Sequence, residues 1–234
     1  MTTSVSTTPR AAGPLDAILL SFVAGYVDTV GFVALFGLFT AHVTGNFVLL
    51  GAALMRPHDG LVAKLLALPT FVFAVSVTTV YLRTRPAAPR TTAWVIGAQM
   101  ALLAAFMGCA LSAMPITHAD APLAVTAGLL GVAAMGVQNA LSRLVFGELP
   151  PTTMMTGNVT QFAADITQLV LHRNADDRAA TLARAKKLAA PVAAFALAAA
   201  AGALAYAAFS FYALIVPLLA LAVVLARHGI GRPA

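Results

Sequence analysis

Charge is what this sequence has least of. Only 9% of its 234 residues are Asp, Glu, Lys or Arg, while 60% are hydrophobic. A water-soluble domain carries roughly 25% charged residues. A chain this poor in charge cannot coat a water-facing surface, so a soluble fold is excluded and lipid is the solvent that fits. Cysteine is nearly absent too. Cys109 stands alone, which rules out an internal disulfide and a cysteine-built metal site. No His/Glu metal pair lies at helical spacing, and no Ser or Cys nucleophile sits beside a base. A phosphate-cradling glycine loop is also missing. Enzymatic activity, a metal, a cofactor and an ATP-driven pump are therefore not expected. The net charge of +6 would suggest nucleic acid in a soluble protein. Here the basic residues lie between apolar runs, where they set topology, and no nucleic-acid partner is expected.

What the sequence has in abundance is long apolar runs. Six are long enough to span a bilayer, which takes about 20 residues each: residues 17–36, 65–82, 93–114, 123–144, 188–208 and 209–226. Residues 1–14 form a polar tail without the apolar core of a signal peptide. Two further stretches, 40–55 and 152–171, are apolar but interrupted. The first carries His42, Thr44, Gly45 and Asn46, and the second Thr156, Gly157, Asn158, Gln161, Asp165 and Gln168.

These two odd stretches are copies of each other. Thr44-Gly45-Asn46 recurs as Thr156-Gly157-Asn158, 112 positions later. Gly25 and Asp28 match Gly136 and Asn139 at an offset of 111, and Phe36-Gly37 matches Phe146-Gly147 at 110. Lys64, Pro69 and Phe73 match Lys186, Pro191 and Phe195 at 122, the extra length falling in the charged linker 173–185. The chain thus divides into the tail, one membrane repeat over 15–115 and a second over 116–234.

Charge counting orients the halves. If both odd stretches enter and leave the membrane on one face, twelve of the fourteen cationic residues fall on the side of the N-terminus, and only Arg56 and Lys64 fall opposite. If both stretches span, four fall opposite. Positive residues favour the cytoplasm. The expected fold is therefore all-α: a polytopic membrane bundle of about six spans plus two re-entrant broken helices, with both termini cytoplasmic. The two halves are then inverted repeats, an arrangement found in transporters.

Irregular backbone at membrane depth survives only when buried in protein or lining a wet cavity. Gly45 and Gly157 permit a sharp change of direction. Thr44, Asn46, Thr156 and Asn158 are good helix N-caps. Two inverted half-helices of roughly 10 residues would bring their positive N-terminal ends toward each other near the midplane. Asp28, in the first span, is costly there unless partnered. It either caps a re-entrant loop or serves as a proton or cation site. Gln138 and Asn139 occupy the matching region of the second half. His42 either relays protons or is a hydrogen-bonded loop residue. Asp165 shares a helical face with Gln161 and Gln168, which either lines a pore or packs helices.

The stretches Gly25-Tyr-Val-Asp-Thr-Val-Gly-Phe, Phe39-Thr-Ala-His-Val-Thr-Gly-Asn and Met154-Met-Thr-Gly-Asn-Val-Thr-Gln resemble the YoaK family of bacterial multi-pass membrane proteins. The resemblance covers essentially the whole chain. It implies about six transmembrane segments in a bacterial inner membrane and no established substrate. The reading that follows is a small-solute transporter or channel whose site lies where the two Thr-Gly-Asn segments meet. The alternative is a non-transporting partner subunit or sensor. Lipid and an unknown small solute are the expected partners, and the sequence leaves the oligomeric state open.

Overall fold

The computed structural model describes residues 12–55, 60–171 and 175–229. All regular structure among these residues is helical. In chain order come α1 (Pro14–Ala34), α2 (Gly45–Ala53), α3 (Leu61–Thr84), α4 (Pro89–Ser112), α5 (Pro122–Leu144), α6 (Met155–Leu171), α7 (Ala175–Phe209), a 3-10 turn (Ser210–Leu214) and α8 (Ile215–Gly229). Prolines open α1, α4 and α5. There the ring's fixed φ suits the first turn and its missing N–H costs nothing.

Contacts at the helix ends give the chain's course. At one face, Asp16 at the start of α1 meets Arg227 and His228 at the end of α8, and Lys187 of α7 donates to the Glu148 carbonyl beyond α5. At the other face, Lys64 near the start of α3 donates to the Phe36 carbonyl at 2.8 Å. Val62 N–H there donates to Asp120 ahead of α5 at 3.1 Å. Ser210, after α7, meets Met114, after α4. Hence α1, α4 and α7 run one way across the bundle, and α3, α5 and α8 run back.

Five stretches are long and apolar enough to cross a membrane, and the last of them, residues 178–228, is 51 residues long. It contains the reversal at Ser210, where φ is 51°, so it supplies two crossings. The total is six, at the expected places. Leaving α2 and α6 out of the count puts Arg83, Arg85, Arg90, Arg143 and Arg227 on one face and Lys64 on the other. Arg10, Arg56, Arg173, Arg232 and most of the polar tail lie outside the described residues.

The two most enclosed helices are the ones that carry the Gly and Asp/Asn signatures. The spanning window of α1 is 67% buried and that of α5 is 61%, against 17% for α3. α1 packs chiefly on α7, and α5 on α3 and α4. Glycine makes these approaches possible. A Cβ on Gly25 would lie 2.4 Å from the Phe195 carbonyl oxygen of α7, and one on Gly136 would lie 3.1 Å from that of Phe71 on α3. Each of these partner helices also holds an internal proline, Pro69 in α3 and Pro191 in α7.

Candidate functional site

After α1 the chain turns at Phe36 and Gly37, with φ of 54° and 80°, and folds back along α1 until it meets Asp28. Asp28 stands 14 residues into a helix of 21. The returning loop therefore reaches about 9 Å below the end of α1, at 1.5 Å per residue. Asp28 receives it. Its Oδ1 accepts from the backbone N–H of Thr40 at 2.8 Å, Ala41 at 2.6 Å and His42 at 3.3 Å, and from the Thr40 hydroxyl at 3.3 Å. Its Oδ2 lies 2.7 Å from His42 Nδ1. Three consecutive backbone donors in a membrane interior would each be costly if left unpaired, and one carboxylate answers all three. A carboxylate in this role only accepts, so Nδ1 carries the imidazole proton and Nε2 is left for other partners. The ring is further held edge-on against Phe195 of α7, with centroids 5.5 Å apart.

Asn46 fastens the same loop at its far end. Phe39 N–H donates to Asn46 Oδ1 at 3.0 Å, and Asn46 Nδ2 donates back to the Phe39 carbonyl at 2.9 Å. This corrects the capping expectation. Thr44 is the N-cap residue of α2 but makes no side-chain cap bond, and Asn46, inside the helix, ties the turn instead. The glycines expected to permit a sharp change of direction, Gly45 and Gly157, lie in regular helix, and neither has a positive φ. Gly45 is small because a Cβ would meet the Phe39 ring at 2.8 Å, while Gly157 has open space around it.

The second loop is fastened by matching residues. Asn158 Nδ2 donates to the Pro151 carbonyl at 2.7 Å, seven residues back, as Asn46 does to Phe39. Asn139 Nδ2 donates to Thr153 Oγ1 at 2.6 Å, where Asp28 meets Thr40 and Ala41 in the first half. The helices that follow differ in length. α2 has 9 residues, close to the half-helix expected, but α6 has 17 and runs on beside the start of α7.

Between the two loops lies a cleft of about 370 Å³. One side is residues 41–44 and the other residues 153–157, with Asn139 and Arg143 of α5 and Leu68 and Phe71 of α3 completing it. It thus gathers His42, Thr44, Asn139, Thr156 and Gly157 from two regions at least 95 residues apart in sequence. Thr44 and Thr156, equivalent in the repeat, both line it, and α2 and α6 both begin beside it. Arg143, expected only as a topology marker, is its cation. The Arg143 Nη2 lies 2.8 Å from Met154 Sδ, and no carboxylate pairs with it among the described residues.

Other candidates lie elsewhere. Asp28, Asn46 and Asn158 stand behind the cleft and shape its walls. Gln138 is fully buried, donating to the Leu20 carbonyl at 2.8 Å and to Thr152 Oγ1 at 3.3 Å while accepting from Gln99 at 2.7 Å. It locks α1, α4, α5 and the second loop together and faces no cavity. Asp165 is likewise outside the cleft. It accepts from Gln161 at 3.0 Å and pairs with Arg184 of α7 at 3.3 Å, joining α6 to α7, while Gln168 is exposed. On that face Asp165 is buried at the α6–α7 seam, while Gln161 is exposed like Gln168. A further buried cluster carries no motif signal in the sequence: Asp16 accepts from Arg227 Nε at 2.8 Å and lies 3.1 Å from His228 Nε2, closing the first helix onto the last.

Among curated proteins, the chain is 29% identical over 150 residues to the UPF0700 transmembrane protein YoaK of Bacillus subtilis (strain 168). The match covers 63% of this chain and 64% of that relative, a little under two thirds of its length. No solved structure matches the chain. The family described as "Protein of unknown function (DUF1275)" matches residues 17–227, nearly the whole of the bundle, and this multi-pass membrane protein belongs to it.

Proposed function

We propose that this protein is a small-solute transporter or channel of the bacterial inner membrane, with both termini cytoplasmic and its site in the cleft between the Thr-Gly-Asn loops. One observation carries the reading: two loops distant in sequence and similarly fastened leave about 370 Å³ between them rather than packing shut. The inverted-repeat reading supports it further. The first helix of each half packs on the third helix of the other, α1 on α7 and α5 on α3, and each such pair runs in a common direction. A pair of interlocked halves around a central site is the architecture by which one half can rock against the other. The cleft offers Arg143, the hydroxyls of Thr44 and Thr156, the free His42 nitrogen and the positive ends of two helices. That inventory suits a small polar solute with acceptor groups.

The test combines binding and flux. Purified protein is heated with a panel of small carboxylates, phosphates, amines and neutral polyols, and uptake of any stabilising solute is followed in proteoliposomes. A solute at a hundred times its Kd stabilises by about 2.7 kcal/mol, enough to detect. Thr156→Trp, on an exposed cleft position, is expected to abolish both stabilisation and uptake. Stabilisation without uptake would favour the sensor or partner-subunit reading. That reading draws on the loops themselves, since Asn46 and Asn158 are engaged within their own turns and Asp28 of α1 is engaged by the first loop. A panel without effect, together with unaltered behaviour of Thr156→Trp, would refute a solute site in the cleft.

A further inference from the structure

A second concavity lies on the outside of the bundle. α3 and α4 both pack on α5 but hardly on each other, so a groove of about 420 Å³ remains between them, floored by Ala133 and Val137 of α5. Its walls are two rows at helical spacing, Phe73, Val77 and Tyr81 on α3 and Trp94, Ala98 and Leu102 on α4. Residues four apart stack along one helix face. The lining is almost wholly apolar. Of its two hydroxyl-bearing residues, Thr78 donates to the Ala74 carbonyl at 2.8 Å, and Tyr81 stands at the arginine end beside Arg85.

The groove's length and its mouth identify an occupant. Eight residues separate the ends of each row, about 12 Å at 1.5 Å per residue. The hydrocarbon core is about 30 Å thick, so the groove is one leaflet deep. A partner's spanning helix would need a seat along the whole bundle. The groove also ends at the short turn between α3 and α4, where Arg83, Arg85 and Arg90 are all exposed. The Arg85 guanidinium sits 5.8 Å from the centre of the Tyr81 ring, at the groove's mouth. Arg90 is one turn from Trp94 on the same face of α4. None of the three is paired with a carboxylate among the described residues. Three unneutralised guanidiniums at the mouth of a one-leaflet apolar groove match a phosphate head and an acyl tail.

We propose that this groove is a binding site for an anionic phospholipid of the leaflet on the arginine-rich face. One acyl chain lies between α3 and α4, and Arg83, Arg85 and Arg90 hold the headgroup phosphate. The site is separate from the cleft and does not depend on transport.

Trp94, the only tryptophan in the chain and 61% exposed, is a built-in reporter. The full chain is reconstituted in phosphatidylcholine vesicles containing a minor fraction of either acyl-brominated phosphatidylglycerol or acyl-brominated phosphatidylcholine, and quenching of Trp94 is compared. The anionic lipid is expected to have about fivefold the relative affinity of the neutral one, the effect of one effective cationic contact at a membrane surface. Ala98→Phe fills the groove from an exposed position and leaves every charge in place. It is expected to remove the preference. Arg85→Gln with Arg90→Gln is expected to bring the ratio near one, and should that variant insert poorly, Ala98→Phe still decides. Equal quenching by the two lipids in the unaltered chain would overturn the proposal. So would a preference that survives Ala98→Phe, which would mean diffuse attraction to the arginine face. Protection of Trp94 from both lipids would mean that a second copy covers the groove, and would overturn it equally.

Discussion

Asn46 and Asn158 occupy the same place in their loops, yet their chemistry is not equal. The residue seven positions before Asn46 is Phe39, which offers both an N–H and a carbonyl, and Asn46 takes both. The residue seven positions before Asn158 is Pro151, which has no N–H, so its only backbone bond is to the carbonyl. Both side chains are almost fully buried, at 1% and 4% exposure. A net hydrogen bond contributes about 1 kcal/mol, and a buried group left without its partner costs about 1–3 kcal/mol. Asn46→Ala orphans a donor and an acceptor, whereas Asn158→Ala orphans an acceptor alone. Asn46→Ala is therefore expected to destabilise the protein by about twice as much as Asn158→Ala, measured by thermal unfolding in detergent. Equal losses would mean that the second Phe39 bond contributes nothing. The Thr-Gly-Asn repeat was legible in the sequence, but this inequality was not. It depends on a proline outside the motif, and helix capping, the obvious use of Asn near a helix start, points at the wrong backbone groups.

Elements meet where side chains are missing. Gly25 and Gly202 lie on facing sides of α1 and α7, and an added Cβ would come within 2.4 Å of the Phe195 carbonyl oxygen or 2.9 Å of that of Tyr26. Those atoms belong to helix backbone and cannot step aside singly. In lipid, such close backbone approach is what drives helices together, because apolar burial alone favours neither state. Gly157→Ala meets nothing within 4 Å. Overpacking typically costs about 1–3 kcal/mol, while Ala replaces Gly in a helix with a gain of about 0.5–1 kcal/mol. Gly25→Ala and Gly202→Ala are accordingly expected to lower thermal stability and monodisperse yield, and Gly157→Ala to leave both unchanged or raised. Loss of stability in Gly157→Ala would favour a hinge at that position. From sequence alone the glycines of the two Thr-Gly-Asn motifs looked equivalent. What separates them is the Phe39 ring lying over Gly45, a contact that no local pattern announces. Likewise Asp165 carried the outward mark of a pore residue, an acid on a helix with two glutamines, and only the approach of Arg184 from α7 places it at the α6–α7 seam.

The whole bundle was the most legible level, because membrane solvent leaves few options: an apolar run of the right length is read as a crossing, and long runs are plain in the sequence. The cleft was legible only in outline. Repeat matching pointed to both loops, but Arg143, Leu68 and Phe71 enter it through the packing of α3 and α5, which the spacing within the loops does not encode. One consequence of the six-crossing course can be checked directly. Ala87 in the α3–α4 turn and Gly147 after α5 lie on the face that carries the arginines, whereas His118, between α4 and α5, lies opposite, and all three positions are exposed. With Cys109 replaced by serine and single cysteines placed at these sites in turn, a membrane-impermeant maleimide added to intact cells is expected to label His118→Cys alone. Opening the cells is expected to add labelling of Ala87→Cys and Gly147→Cys. The opposite pattern would keep the six crossings and reverse the orientation, against the excess of positive charge on the Ala87 face. Labelling of Ala87→Cys and His118→Cys from the same side would be more damaging. No crossing would then lie between the two positions, α4 would not span, and the opposed directions of the two halves, on which the transport reading leans, would be lost.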